Sequence, residues 1–342
     1  MNNIFYLHSN ICVISVYKTI ENYINKGEHV IIVSERKTIF PIESDRIDTY
    51  DIQEVIDNSI KQTSNVLVKI LNYKFSVYKQ CEKFASSIIG KEDFVLYTPS
   101  YNMYSVRPFL KDEHCKGYYF IEEGVLSYLT SRSLHTRYIE RRYKQGRILL
   151  ELFGMGEVPD CLITNKFKGC LCLSEHAFPW CKHEKIVTGI ASYFDNMDFC
   201  DIETNDIIIT DWLRDDIDII EDAFRRVVER LMTDQKHKVA IKFHPQAHTY
   251  EKDKIVTVLN YLKNRYSSLE TIILPADYPL ELLMYHKTMN VYSIFGHSSV
   301  LLYALILKSN AFAIVHNGNK SLIRAIPTVP QFIDEINLNY AR

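Results

Sequence analysis

The sequence predicts an α/β protein built from two doubly wound, mainly parallel sheets. Three observations predict it. Short apolar runs rich in β-branched residues recur along the chain, among them "HVIIVS" (29–34), "DIIIT" (206–210) and "KVAIKFHP" (238–245). Longer segments of helical period lie between them, "DIDIIEDAFRRVVERLM" being the strongest, and apolar runs alternating with helices mark strands covered on both faces. A chain of 342 residues also exceeds one ordinary core and suits two domains.

Taken in order, "NIFYLH" (3–8) is a short apolar strand, and a helix follows over 14–26, ending near Gly27. "HVIIVS" is the second strand. A long polar and aromatic helical region spans 52–90, and "FVLYTPS" (94–100) and "GYYFIEE" (117–123) are further strands. After Gly124, "VLSYLTSRSLHTRYIERRYKQGR" reads as helix with a basic stretch, and "CLITN" (161–165) and "GCLCLS" (169–174) read as strands. A second run of units starts at "DIIIT". It continues through "KVAIKFHP", the helix "DKIVTVLNYLKNRY", the strand "LETIILP" (269–275) and the segment "PLELLMYH" (279–286). It closes with strand "NVYSIFG" (290–296), helix "SSVLLYALIL" (298–307) and strand "AFAIVH" (311–316). A break near 200–205 sets two Rossmann-like domains, 1–203 and 204–342, expected to face a central cleft.

Composition narrows the function classes. Hydrophobic residues make up 47% and charged residues 24%, as in soluble globular proteins. Forty basic against 42 acidic residues leave a charge of −2, which argues against nucleic-acid binding by a broadly basic surface. No apolar run approaches the ~20 residues that span a bilayer. The N-terminus lacks a basic leader and a small-residue cleavage site, and the eight cysteines are irregularly spaced, so a reducing cytoplasm is the expected setting. Cys170, Cys172, His176, Cys181 and His183 crowd into "CLCLSEHAFPWCKH". Zinc sites usually space cysteines as C-x(2–4)-C, so the expected reading is a strand followed by a loop, with no metal.

In open α/β sheets ligands sit beyond the carboxyl ends of strands, so the polar residues placed there are the site candidates. Glu122, Glu123 and Gly124 follow one strand; Asp211 and Trp212 another; His244 and Pro245 a third; and Gly296, His297, Ser298 and Ser299 a fourth. Two adjacent carboxylates at the end of an apolar strand repel each other, which can raise the pKa of one and make it a general base; a solvated strand end is the plain alternative. Alternation sends them to opposite sides, so one faces the cleft. His244 can carry a proton or a positive charge towards a phosphate. Ser298 and Ser299 open an apolar helix, where free N–H groups and hydroxyls bind anions or simply cap the helix. Glu281 sits in a first helical turn, favoured there by the helix dipole and also able to accept from vicinal sugar hydroxyls.

The order of these motifs, Glu-Glu-Gly, then His-Pro, then Pro-x-Glu, then Ser-Ser opening a helix, resembles bacterial sialyltransferases of the GT-B type. That group includes lipooligosaccharide sialyltransferases and capsule polysialyltransferases. The resemblance implies an inverting transfer of sialic acid, or a related nonulosonate, from a CMP-activated donor to a hydroxyl of a surface glycan. It implies Glu123 as the base and His244 as the group assisting departure of CMP. It further implies Ser298 and Ser299 on the phosphate, Glu281 on the ribose, and Lys242, Phe243 and Pro245 around the cytosine. Trp212 would lie beside the donor, with a core Trp as its other reading, and Glu122 and Gly124 would support the base. Such chemistry needs one base and a phosphate-binding cluster, with no metal or other cofactor.

Arg137, Arg141 and Lys144 share a helical face in "HTRYIERRYKQGR" and suit an anionic glycan, a phosphorylated lipid or the inner face of a membrane, or else a solvated helix surface. The expected partners are therefore a nucleotide-sugar donor and a glycan or glycolipid acceptor, with the protein in the cytoplasm or peripheral at the membrane. Two rivals share the two-domain pattern: a nucleotide-sugar epimerase and a non-catalytic glycan-assembly subunit.

Overall fold

The computed structural model describes the chain except for residues 37, 39, 62–65, 102, 131–163, 197–201, 211–216, 245–246, 248, 276–277, 295–297, 318–319 and 342. It divides into two compact units, Met1–Ser192 and Tyr193–Tyr340, ahead of the 203/204 boundary expected from the sequence.

The first unit carries β1 (Asn2–Leu7), β2 (Val30–Ser34), β3 (Ile47–Asp51), β4 (Phe94–Thr98), β5 (Cys115–Ile121), β6 (Phe167–Cys172) and β7 (Glu184–Val187). They form a seven-stranded sheet in the order β3-β2-β1-β4-β5-β6-β7, parallel throughout. Its helices include α1 (Asn10–Asn25), α2 (Ile52–Lys61), α3 (Val66–Ile89) and α4 (Arg107–Lys111). The chain winds outward from β1 to β3, then returns to the other side of β1 with β4, so the winding reverses between β1 and β4. Such a reversal opens a crevice at the strand ends.

Local chemistry sets these elements. Ile4 to Leu7 of β1 are fully buried, and Phe5, Val16, Ile32, Ile121 and Leu171 belong to one core cluster. Parallel register places Phe5 opposite Tyr97 and Tyr97 opposite Tyr119. Their rings stack at 4.2 Å and 5.1 Å, locking β1, β4 and β5 together. Ser9 caps α1 by accepting from the Cys12 N–H at 3.4 Å. A Cβ on Gly169 would lie 2.0 Å from the Glu184 carbonyl oxygen, so the close approach of β6 to β7 requires glycine.

The second unit carries β8 (Asp206–Thr210), β9 (Lys238–Phe243), β10 (Glu270–Leu274), β11 (Asn290–Ser293), β12 (Asn310–Asn317) and β13 (Lys320–Ile326). Its helices include α5 (Ile217–Thr233), α6 (Thr249–Arg265), α7 (Leu280–His286), α8 (Ser299–Ile306) and α9 (Val329–Ala341). The sheet order is β10-β9-β8-β11-β12-β13, parallel except for the antiparallel β12–β13 pair. Ile208, Phe224, Val227, Ile241 and Leu262 lie in its core. The winding repeats that of the first unit, with the reversal between β8 and β11.

The two parallel-dominated sheets bear out the α/β class and both Rossmann-like units. Several expectations are corrected. The strand read over 117–123 ends at Ile121. Of the helix expected after Gly124, Val125–Tyr128 is a 3-10 turn and Leu129 is extended, and residues 131–147 lie outside the described residues. Of the strand expected over 161–165, residues 161–163 lie outside the described residues, and Thr164 and Asn165 are in a helical turn. β3, β7 and β13 are strands the sequence pattern did not disclose. β3 is a polar edge strand with exposed Asp48, Thr49 and Asp51, so it lacks the apolar signal. Among the described residues, no helix is long and apolar enough to cross a membrane.

Candidate functional site

In the first unit the strand ends at the winding reversal gather an acid–base pair. β1 ends at Leu7, and His8 follows directly, just before the Ser9 cap of α1. β5 ends at Ile121, and Glu122 and Glu123 follow. His8 Nε2 lies 3.0 Å from Glu123 Oε2, and both side chains are largely enclosed, at 11% and 15% exposure. Burial works against a charge on His8, but the Glu123 carboxylate and then Cys12 outweigh it, and its pKa is pushed up to about 10. His8 is therefore an imidazolium near neutral pH, donating to Glu123.

The neighbours of Glu123 hold it in place. Its backbone N–H donates to Ser127 Oγ at 3.2 Å. Gly124 takes φ 146° and ψ −156°, a backbone region essentially confined to glycine. The third position of the Glu-Glu-Gly motif thus has a steric reason. It turns the chain sharply so that Ser127 can reach back.

Glu122 has a different job. It is fully buried, which overturns the solvated strand end as a reading for it. The Tyr128 hydroxyl donates to Oε1 at 2.6 Å and the Leu173 N–H donates to Oε2 at 2.8 Å. Its own N–H continues the sheet ladder to the Leu171 carbonyl at 3.0 Å. Glu122 therefore ties the β5 end to the β6 end and to the 3-10 turn, while Glu123 points to His8. Burial, then the Glu122 charge, pushes the Tyr128 hydroxyl well above its ordinary pKa, so Tyr128 stays a donor.

In the second unit, Lys242 and Phe243 end β9, at 8% and 6% exposure, and the half-buried His244 follows. The His244 carbonyl accepts from the Ala247 N–H at 2.9 Å. Glu281 lies in the first turn of α7. Burial pushes its carboxyl above the usual range, opposed by its own backbone N–H and then by the Lys242 charge. Ser298 is the cap of α8, accepting from the Val300 N–H at 3.4 Å, and Ser299 is the first helical residue. Pro245, Trp212, Arg137, Arg141 and Lys144 lie outside the described residues.

Two residues were missed by the sequence reading. His8 obeys the same strand-end rule that selected His244, because "YLHS" is a strand running into a capped helix; the rule simply has to be applied to the first strand. His316, near the end of β12, donates from Nε2 to the Ile294 carbonyl at 2.8 Å and pairs through Nδ1 with Ser321 Oγ at 3.1 Å. It anchors the chain at the end of β11, and only the β11–β12 pairing reveals it. Among the described residues, no group of three His, Cys, Asp or Glu side chains gathers as a metal would require. Cys170 instead contacts the Cys181 thiol, and burial pushes its own thiol upward.

No family model matches the sequence, and no curated protein matches it. Solved structures do. Os79 from O. sativa, in complex with U2F and trichothecene, is 11% identical over 97% of this chain and 84% of that chain, with a TM-score of 0.52. The UDP-GlcNAc 2-epimerase of Methanocaldococcus jannaschii is 12% identical over 100% of this chain and 93% of that one, with a TM-score of 0.48. The Neisseria meningitidis UDP-GlcNAc 2-epimerase bound to UDP-GlcNAc is 12% identical over 100% and 92%, with a TM-score of 0.47. At such identities the likeness concerns fold alone. The chain has the GT-B type of fold, with two Rossmann-like units.

Proposed function

We propose that this protein is an enzyme acting on a nucleotide-activated sugar, with Glu123 as its base and His8 as the cation that keeps Glu123 ionised. The enclosed His8–Glu123 pair at the strand ends carries this reading. In transfer, the acceptor hydroxyl gives its proton to the Glu123 carboxylate as its oxygen bonds to the anomeric carbon. The bond from that carbon to the nucleotide phosphate breaks, and its electron pair leaves with the phosphate. Lys242, His244 and the capped start of α8 are the groups with the charge and donors to receive that phosphate. Glu281 would accept from ribose hydroxyls. The order of motifs supports a CMP-activated sialic acid or related nonulosonate as donor and a glycan or glycolipid as acceptor, with the work done in the cytoplasm or at the membrane face.

A second reading is a UDP-sugar epimerase, the rival already named by the two-domain pattern. The structures of similar fold described above are UDP-GlcNAc 2-epimerases and a protein bound to U2F, a likeness of architecture that suits this rival without selecting a nucleotide. One experiment separates the two. The purified protein is given CMP-sialic acid, another CMP-nonulosonate or UDP-GlcNAc, each with and without a panel of glycan acceptors, and products are read by mass spectrometry. Acceptor-dependent product from a CMP donor, lost in Glu123→Gln, supports transfer. Acceptor-free turnover of UDP-GlcNAc replaces transfer with epimerisation. No turnover of any nucleotide sugar overturns the proposal.

A further inference from the structure

The His8–Glu123 pair does not end at His8. On the far side of the ring, Nδ1 lies 3.5 Å from the sulfur of Cys12. The Ser9 hydroxyl donates to the same sulfur at 3.2 Å, while the Cys12 N–H donates back to Ser9 Oγ. The sulfur thus faces one O–H and one ring nitrogen. Cys12 is fully buried, on the first turn of α1. His8 lies four residues before Cys12 in the chain, just ahead of the Ser9 cap.

An imidazole has two nitrogens, and the partner of one sets what the other can do. A ring that donates at both ends is an imidazolium. A ring without an acceptor at Nδ1 holds its second proton less firmly and can turn about its Cβ–Cγ bond. The groups that face His8 here are Glu123 from the end of β5 and Cys12 from α1. The nearby Glu122 carboxylate is occupied by Tyr128 and Leu173.

We infer that Cys12 is a positioning residue for the acid–base pair: its sulfur receives the Nδ1–H of His8 and so aims Nε2–H at Glu123, keeping Glu123 a carboxylate ready to take a proton. This rests on the proposed roles of His8 and Glu123. It explains why a buried cysteine occupies the first turn of α1. A sulfur reaches the ring at 3.5 Å, where the shorter side chain of alanine would leave Nδ1 unmet.

The test reads His8 itself, without any sugar. The full chain labelled with 15N-histidine contains 12 histidines, and the signals absent from His8→Asn identify His8. In the wild type, both ring nitrogens of His8 are expected to be protonated at pH 8. In Cys12→Val the midpoint of His8 titration should fall by about one pH unit or more, and Cys12→Ser should recover part of that fall. Should the valine variant fail to fold, Cys12→Ala serves in its place. Cys115→Ala, which removes a buried thiol elsewhere in the same unit, should leave His8 unmoved. Unchanged His8 signals and midpoint in the Cys12 variants overturn the inference, as does an equal displacement by Cys115→Ala. A protein inactive on every donor, yet showing the Cys12-dependent shift, would remove the proposed function and leave the Cys12–His8 linkage standing.

Discussion

The strand ends of the two sheets carry different chemistry. In the first unit both carboxylates are already engaged by the protein: Glu123 by His8, Glu122 by Tyr128 and Leu173. In the second unit the strand-end groups are a largely buried lysine, an imidazole, a carboxyl raised by burial and the capped start of a helix. The first arrangement fixes one proton acceptor in one geometry. The second places a lysine, a histidine, a carboxyl and a helix cap after strands or at helix starts. The difference teaches that winding alone does not specify chemistry. Both sheets reverse at equivalent places, yet the side chains at the strand ends differ.

The largest expected effect tests the first arrangement. Glu123→Gln removes the proton acceptor but keeps its shape, so turnover should fall by about 10²- to 10⁴-fold. The circular dichroism spectrum should be unchanged. A variant that turns over at the wild-type rate would reduce the His8–Glu123 pair to a structural contact.

Glu122→Gln should act on stability first. An amide offers one oxygen in place of the two carboxylate oxygens that Tyr128 and Leu173 donate to, so one hydrogen bond to a charged acceptor is lost, at a cost of roughly 1–3 kcal/mol. Urea unfolding would read this as a lower midpoint. If Glu122→Gln left stability untouched and abolished turnover alone, Glu122 would join Glu123 as a reacting group, and the division of labour between them would fail.

Next comes the pH dependence of the first unit. The folded pKa of His8, about 10, lies above its ordinary 6.5. Its contribution is therefore complete below the unfolded value and is lost as pH rises through about 10. Thermal melts of the wild type should weaken over this window, and His8→Asn should flatten that part of the profile. An identical profile in the variant would show that the pair does not hold its proton.

The smallest effect belongs to the second unit. Ser298→Ala removes the cap of α8 and should cost about 1 kcal/mol of stability. If the second arrangement is a nucleotide site, it should also abolish the rise in melting temperature produced by CMP or UDP. Retention of that rise would assign Ser298 to capping alone.

Much of the fold was legible because buried parallel strands announce themselves. "DIIIT" is β8 residue for residue, and "KVAIKF" is β9. What escaped were strands at or near the edges, where polar faces dilute the pattern, as in "IDTYD" of β3. The candidate site was half legible. Glu123 could be picked out because two carboxylates and a glycine after an apolar strand are unusual. Its partner could not, since His8 and Glu123 lie more than a hundred positions apart in the chain and meet only because β4 alone separates β1 from β5.

By itself the sequence determined the alternation of strands and helices, the strand-end positions of the polar groups, and the glycine that turns the chain after Glu123. These depend on local period and on backbone sterics, which neighbouring residues dictate. The tertiary structure decided which of two adjacent carboxylates is spent on packing and which meets a cation. That choice depends on the strand order and register of β1, β4, β5 and β6, through which residues far apart in sequence share a few ångströms of low-dielectric space.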